Sequence, residues 1–308
     1  MTATPIALAG IGKIARDQHI PALAADPRWH LAATVSRHAG VEGVDGFTGI
    51  DEMLAARPDI GAVSLALPPG PRFAYAAACL RAGRHVMLEK PPGATLAECH
   101  ALVAMAEAAG VTLYATWHSR MAHAVPAARD WLAQHRLRRV EVAWKEDVRR
   151  WHPGQDWIWE AGGLGVFDPG INALSILTAI LPVPVHLSAA DLWFPENRDT
   201  PIAADLTFAH PEGAEVAAVF DWRQEGAQTW TVTAETDAGT MVLSDGGARL
   251  AVDGRTLAEG PDREYPGLYA RFADLVADGV SDVDLAPMVH VADAFTLGRR
   301  RVTDAFVW

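Results

Sequence analysis

What this 308-residue chain lacks narrows its function before any motif is read. No apolar stretch is long enough for a membrane span: Pro, Gly or a charge interrupts each within about a dozen residues, short of the roughly twenty required. The opening Met1-Thr2-Ala3-Thr4-Pro5 has neither the basic start nor the apolar core of a signal peptide, so the expectation is a cytoplasmic protein with no membrane partner. Cysteine is scarce. Cys79 and Cys99 stand apart without a CxxC partner, which leaves no disulfide framework and reads as two buried thiols. Positive charge is also short: 26 Lys and Arg face 38 Asp and Glu, for a net charge of −12. That balance does not suit a phosphate backbone, and no nucleic-acid partner is expected. His118, His123 and His152 lack the spacing of a zinc-binding helix, so no metal is assigned, and no Gly-x-Ser-x-Gly elbow marks a hydrolase.

What is present begins at the start of the chain. Ile6-Ala7-Leu8-Ala9 predicts an apolar strand, Gly10-Ile11-Gly12 a tight turn, and Lys13-Ile14-Ala15 the opening of a helix. In such a turn Gly10 permits the bend, Gly12 keeps a Cβ away from an approaching pyrophosphate, and Ala15 lets helix and strand pack closely. The positive end of the helix, at Lys13 and Ile14, would face the phosphates. Further strands are expected over residues 30–36, 60–67, 85–89 and 111–117, with helices over 50–57, 72–82 and 95–109. Each strand is an unbroken apolar run, as in a parallel sheet covered on both faces. Residues 1–120 therefore read as an α/β Rossmann dinucleotide-binding domain.

From 121 to 308 the pattern changes to α+β. Strands near 139–146, 187–193, 202–208, 215–222, 228–236, 240–243 and 249–252 are joined by turns such as Pro211-Glu212-Gly213 and Asp237-Ala238-Gly239. Their alternation predicts a mainly antiparallel sheet with one open face, a surface suited to a homodimer. Helices are expected over 124–134, from an Asp168 N-cap to before Pro182, and over about 265–278 and 287–300.

In the first domain the ligand belongs at the carboxyl ends of the strands, where Ser36-Arg37, Pro68-Pro69, Glu89-Lys90-Pro91-Pro92 and His118 fall. Ser36 and Arg37 stand where NAD-binding folds place an acid for the ribose; a hydroxyl and a guanidinium suit a 2′-phosphate, so NADP is preferred and NAD remains compatible. The prolines after Lys90 fix its backbone near the nicotinamide and the substrate. Asp168 and Asn172, four apart, share a helix face; the acid can act as a base and the amide can hold a hydroxyl. Glu146, Trp151, His152, His118 and Trp230 make a carbohydrate lining, in which ring faces cover C–H surfaces and polar tips fix hydroxyls. For any one of these residues taken alone, core packing or a surface salt bridge is the more ordinary explanation.

The glycine turn, then Glu89-Lys90-Pro91-Pro92, then Asp168-Pro169-Gly170-Ile171-Asn172, in this order and two-part layout, resemble the Gfo/Idh/MocA oxidoreductase family. Residues 13–19, 116–120, 144–149, 151–155 and 165–175 look like the bacterial aldose 1-dehydrogenases of that family, which act on L-arabinose or D-galactose. The resemblance implies NAD(P)-dependent oxidation of an aldose at C1 to its lactone by a homodimer. It makes Lys90, Asp168 and Asn172 the catalytic group. It puts Gly10, Gly12, Lys13, Ile14, Ser36, Arg37, Pro68, Glu89 and Lys90 on the cofactor, and His118, Glu146, Trp151, His152 and Trp230 around the sugar. Many relatives carry a histidine where Asn172 stands, which passes the proton-acceptor role to Asp168 or Lys90. The alternatives are another polyol or keto-sugar oxidoreductase of the inositol dehydrogenase kind and a non-catalytic NADP-sensing regulator. The presence of Lys90, Asp168 and Asn172 argues for the enzyme.

Overall fold

The computed structural model describes residues 3–308, which form two compact units. The first runs to His118 and takes in Arg263–Leu285; the second comprises Ser119–Asp262 and Ala286–Trp308. In the first, β1 (Thr4–Ala9), β2 (Trp29–Val35), β3 (Asp45–Phe47), β4 (Ala62–Leu65), β5 (His85–Leu88) and β6 (Leu113–Ala115) make one six-stranded sheet in the order β3-β2-β1-β4-β5-β6. All its pairings are parallel. The apolar runs explain this: β4 and β6 are buried along their whole length, so both faces of the sheet are covered there. Helices α1 (Ile20–Ala25), α2 (Ile50–Ala56), α3 (Pro69–Arg81) and α4 (Leu96–Ala109) link the strands. One core layer joins Val63, Leu65, Val86 and Leu88 to Ala76, Leu80, Leu102 and Ala106. As the sequence predicts, α4 starts at Thr95, whose hydroxyl accepts the Glu98 N–H, and stops at Gly110 in the left-handed region. Strand order reverses between β1 and β4, which opens the crevice where such sheets bind ligands.

The second unit is built on β7 (Leu137–Lys145), β8 (His186–Pro195), β9 (Ala203–Ala209), β10 (Glu215–Asp221), β11 (Thr229–Thr236), β12 (Gly239–Ser244), β13 (Arg249–Val252), β14 (Arg255–Glu259) and β15 (Arg299–Thr303). They form a nine-stranded sheet in the order β14-β13-β12-β11-β7-β10-β9-β8-β15. It is mainly antiparallel, with parallel pairs at β7/β10 and β8/β15. Helices α5 (Val125–Leu132), α6 (Val148–Trp151) and α7 (Phe167–Ile180) precede β8, and α8 (Glu264–Asp278) and α9 (Ala286–Leu297) follow β14. α5, α7 and α9 pack against strands of the sheet. On the open face, Glu141, Ala217, Val219 and Thr207 are exposed.

Four features depart from the sequence reading. The short edge strands β3, β14 and β15 were not anticipated, because none has a continuous apolar run. The last helix ends at Leu297, not at 300: after Gly298 the chain joins the sheet as β15 beside β8, where Arg299 and Arg301 pair with Asp191. α7 begins at Phe167 with Val166 as its N-cap, so Asp168 stands inside the first turn and is not the cap. Finally, α8 belongs to the first unit, not with the rest of 121–308. Its buried face of Tyr265, Leu268, Tyr269, Phe272 and Leu275 recurs at helical spacing. Phe272 stacks on Trp29 at 5.2 Å, and the Trp29 indole N–H donates to the Tyr269 carbonyl at 3.0 Å.

Phe272→Ala is expected to destabilise the protein by about 3–5 kcal/mol, as for other fully buried aromatics, read as a lower urea midpoint. A loss under about 1 kcal/mol would mean that α8 contributes little to the first unit.

Candidate active site

In the first unit the predicted cofactor residues gather at the carboxyl ends of β1, β2, β4 and β5. Gly10 has φ +91°, and a Cβ there would lie 2.9 Å from the backbone of Ala66 and Leu67, so only glycine fits between β1 and β4. A Cβ at Gly12 would meet nothing within 4 Å, which leaves that side of the turn open to a ligand. Ala15 is fully buried where the helix passes the sheet. Lys13 and Ile14 are exposed just before a π-helical turn, Ala15–His19, that runs into α1, and Lys13 pairs with Asp17. Past β2, the Ser36 N–H donates to the Phe47 carbonyl at 2.9 Å, and Arg37 is exposed. Pro68 is the N-cap of α3. This cradle fits a dinucleotide: backbone and small residues line the turn, and an exposed guanidinium follows β2.

Beyond β5 the chemistry concentrates. Glu89 is buried, and its carboxylate turns inward: Oε2 accepts the Lys90 backbone N–H at 2.7 Å, while Oε1 accepts the Tyr265 hydroxyl at 2.5 Å and lies 3.2 Å from His19 Nε2. His19 Nδ1 is 2.8 Å from the Tyr269 hydroxyl, which donates to Ser64 Oγ at 3.1 Å. Burial alone would raise the Glu89 carboxyl. The hydrogen bond from His19, the charges of His19 and His118, and the Tyr265 hydroxyl outweigh it and hold the group well below the usual carboxylate range. Lys90 is half-buried and its charge is felt at His118. His118 Nδ1 meets Glu264 at 2.8 Å, and its ring stacks on Tyr265 at 5.6 Å.

In the second unit, Glu146, just past β7, is a buried carboxylate held by two indoles: Trp222 Nε1 donates to Oε1 at 3.3 Å and Trp230 Nε1 to Oε2 at 3.0 Å. Those rings carry the rest of the cluster. Trp151 packs on Trp230 at 5.6 Å, and His152 on Trp222 at 5.3 Å. His152 Nε2 is 3.4 Å from Asp168 Oδ2. Gly170 brings α7 close, since a Cβ there would lie 2.6 Å from the Phe220 ring; Asp168 and half-buried Asn172 flank that contact.

Thus Glu89, Lys90 and His118 are brought together in the first unit, and Glu146, Trp151, His152, Asp168 and Trp230 in the second. The sequence reading missed His19, Arg72, Tyr265, Glu264 and Trp222. No local signal marks them: Tyr265 follows its partner Glu89 by 176 positions. Cys79 and Cys99 are buried thiols outside any disulfide, pushed by burial up to about 12 and about 11, which makes them poor nucleophiles. Among the described residues, no helix is long and apolar enough to cross a membrane and no cluster of three metal-ligating side chains occurs.

A glycine turn at the reversal of a parallel sheet, with an ionisable cluster at the same strand ends, defines a domain of the dinucleotide-binding Rossmann class. The profile of Gfo/Idh/MocA, described as an oxidoreductase family with an NAD-binding Rossmann fold, matches residues 5–116. Galactose 1-dehydrogenase of Pseudomonas fluorescens is 42% identical over 303 residues, covering 98% of each chain. The crystal structure of a D-galactose-1-dehydrogenase protein from Rhizobium etli is 57% identical, with a TM-score of 0.97 over 100% of this chain and 99% of that one. KijD10, a 3-ketoreductase from Actinomadura kijaniata solved with NADP and TDP-benzene, is 19% identical with a TM-score of 0.85 over 98% and 99% of the two chains, and shares the fold. The chain belongs to the Gfo/Idh/MocA oxidoreductase family.

The His118–Glu264 pair gives stability a defined pH dependence. Burial alone would lower the His118 pKa, but the charge and hydrogen bond of Glu264, with Glu89, raise it above its ordinary value against the opposing charge of Lys90. A raised imidazole pKa stabilises the fold fully below about pH 6.5, and that contribution disappears as pH rises through the folded value. Glu264→Gln should therefore lower Tm most at about pH 6 and least at about pH 9, measured by thermal unfolding. An equal loss at both would remove the ion pair from the account.

Proposed function

We propose that the protein oxidises D-galactose at C1 to its lactone with a nicotinamide dinucleotide, L-arabinose being the second substrate to test. One observation carries the reading: the Asp168 carboxylate, 6% exposed in the first turn of α7, lies beside His152 in a unit that also presents the Trp222–Glu146–Trp230 cluster. A base beside aromatic faces is what an aldose needs, because the rings cover C–H surface while the carboxylate meets a hydroxyl. Likeness to galactose 1-dehydrogenase over nearly the whole chain supports the choice of sugar.

The anomeric hydroxyl is more acidic than an ordinary secondary alcohol, since the ring oxygen withdraws electron density. In the proposed reaction Asp168 accepts its proton as the C1–H bond breaks, and the new C1=O makes the lactone. His152, 3.4 Å from Asp168, gives the proton a way on. Lys90 stabilises the negative charge developing on the C1 oxygen, and Asn172 holds a sugar hydroxyl. The bound oxidised nicotinamide supplies the two-electron acceptor, at C4 of its ring. Arg37 and Ser36 favour NADP through the 2′-phosphate. A second copy of the chain is assigned to the open face of the nine-stranded sheet, where Val219 is 36% exposed.

The decisive measurement is kcat/KM for D-galactose, L-arabinose, D-fucose, D-xylose and D-glucose with each coenzyme; L-arabinose lacks only the C5 hydroxymethyl group, so the ratio reports the room beside C5. No reduction of either coenzyme with any sugar would end this reading. Asp168→Asn keeps the shape and removes the base, and should lower kcat by about 10²–10⁴-fold. Near-normal turnover would assign the proton elsewhere. Arg37→Ala should raise KM for NADP far more than for NAD, whereas equal effects would remove the 2′-phosphate contact.

A further inference from the structure

The backbone around Lys90 is gripped by two buried charged side chains. Arg72, 2% exposed in α3, donates through Nη1 to the Glu89 carbonyl at 2.5 Å and to the Pro91 carbonyl, and through Nη2 to the Leu67 carbonyl. From the other side, Glu89 Oε2 accepts the Lys90 N–H at 2.7 Å. The carbonyl before Lys90, its own N–H and the carbonyl after it are thus each bound to a charged group. Glu89 and Pro91 are buried, so water cannot take the place of these ions, and each ion both satisfies a buried backbone group and fixes where it lies.

The geometry also resists displacement. A guanidinium is a rigid planar fork, and three carbonyls arranged around it fix the ends of β4 and β5 relative to one another. Glu89 is itself pinned by Tyr265 and His19. Pro91 and Pro92 have no N–H through which the turn could find another partner. Lys90 therefore starts from a fixed Cα, with freedom left only in its side chain.

We propose that Arg72 and Glu89 are positioning residues that hold the Lys90 backbone for reaction; this rests on the role given to Lys90 above. Neither needs to touch substrate. Misplacement of a reacting group by about 1 Å costs on the order of 100-fold in rate, which is the scale such a clamp protects.

The test uses Arg72→Lys, which keeps a positive charge but loses the fork, and Glu89→Gln, which keeps the shape but loses the charge. Hydrogen exchange is followed in the peptide spanning residues 88–93, where Glu89 and Lys90 carry the only amides between Leu88 and Gly93. Both variants should exchange faster there, with β1 unchanged. Arg72→Lys should lower kcat with D-galactose by about 10–100-fold while the coenzyme Kd, from tryptophan fluorescence, moves less than about threefold. Arg72→Lys combined with Lys90→Ala should be no slower than Lys90→Ala alone, because Arg72 acts through Lys90. Unchanged exchange, additive losses in the double variant, or coenzyme affinity falling in step with kcat would each overturn the clamp. Exchange needs no turnover, so a wild-type protein inactive on every sugar would sink the reaction proposed above while the clamp is still decided by exchange.

Discussion

A carboxylate held out of water at the end of β5 is the constraint around which the first unit is arranged. Removing an ionised carboxyl from solvent carries a penalty of several kcal/mol unless hydrogen bonds and opposite charge replace the lost water. For Glu89 the replacements come from His19, ahead of α1, from Tyr265 on α8, and from the next backbone N–H. No single segment can supply all three. The chain must therefore return after the second unit to add α8, and the aromatic stacking of Phe272 on Trp29 holds that helix where Tyr265 reaches the carboxylate and Tyr269 reaches His19. The group that is costly to bury is the one that ties distant parts of the sequence into a single unit.

The second unit repeats the logic with different donors. Both oxygens of Glu146 accept indole N–H groups, which are neutral, rigid and unable to accept in return. Fixing the two nitrogens fixes the two ring planes. Trp222 then faces His152 and Trp230 faces Trp151, so the orientation of the aromatic bed follows from one buried acid. Gln228 adds a further tie: its Oε1 accepts the Asp147 N–H at 2.6 Å and the Trp151 indole N–H at 3.4 Å.

Features governed by neighbours in sequence were legible without coordinates. Unbroken apolar runs announced a parallel sheet, Thr95 and Gly110 marked the ends of α4, and Gly10 and Gly12 marked the turn at the strand-order reversal. What depended on distant partners was not legible. α8 has a plain amphipathic pattern that fits either unit, and only its contacts with Trp29 and His19 decide between them. Arg72 looks like any charged residue in the first turn of a helix, yet it is among the largest fully buried side chains. Asp168-Pro169 carries the pattern of an N-cap, but the preceding Gly165-Val166 is drawn in by hydrogen bonds to Ile158 and Pro201, which starts the helix earlier.

That early start bears on the chemistry. A capping aspartate turns its oxygens onto backbone N–H groups of its own helix, whereas one inside the first turn can turn them outward. Asp168 meets His152, an imidazole carried by the loop after α6. A group on a loop needs anchoring that a group on a helix has already. The C-terminal segment provides it: Phe306 packs on Trp159 at 4.8 Å, the Trp308 indole donates to Asp156 at 2.8 Å, and Arg149 donates to the Val307 carbonyl at 2.7 Å. The aromatic density of residues 151–159 thus has two sides: Trp151 and His152 belong to the bed beside Asp168, and Trp159 belongs to the anchor that keeps the loop in register with α7.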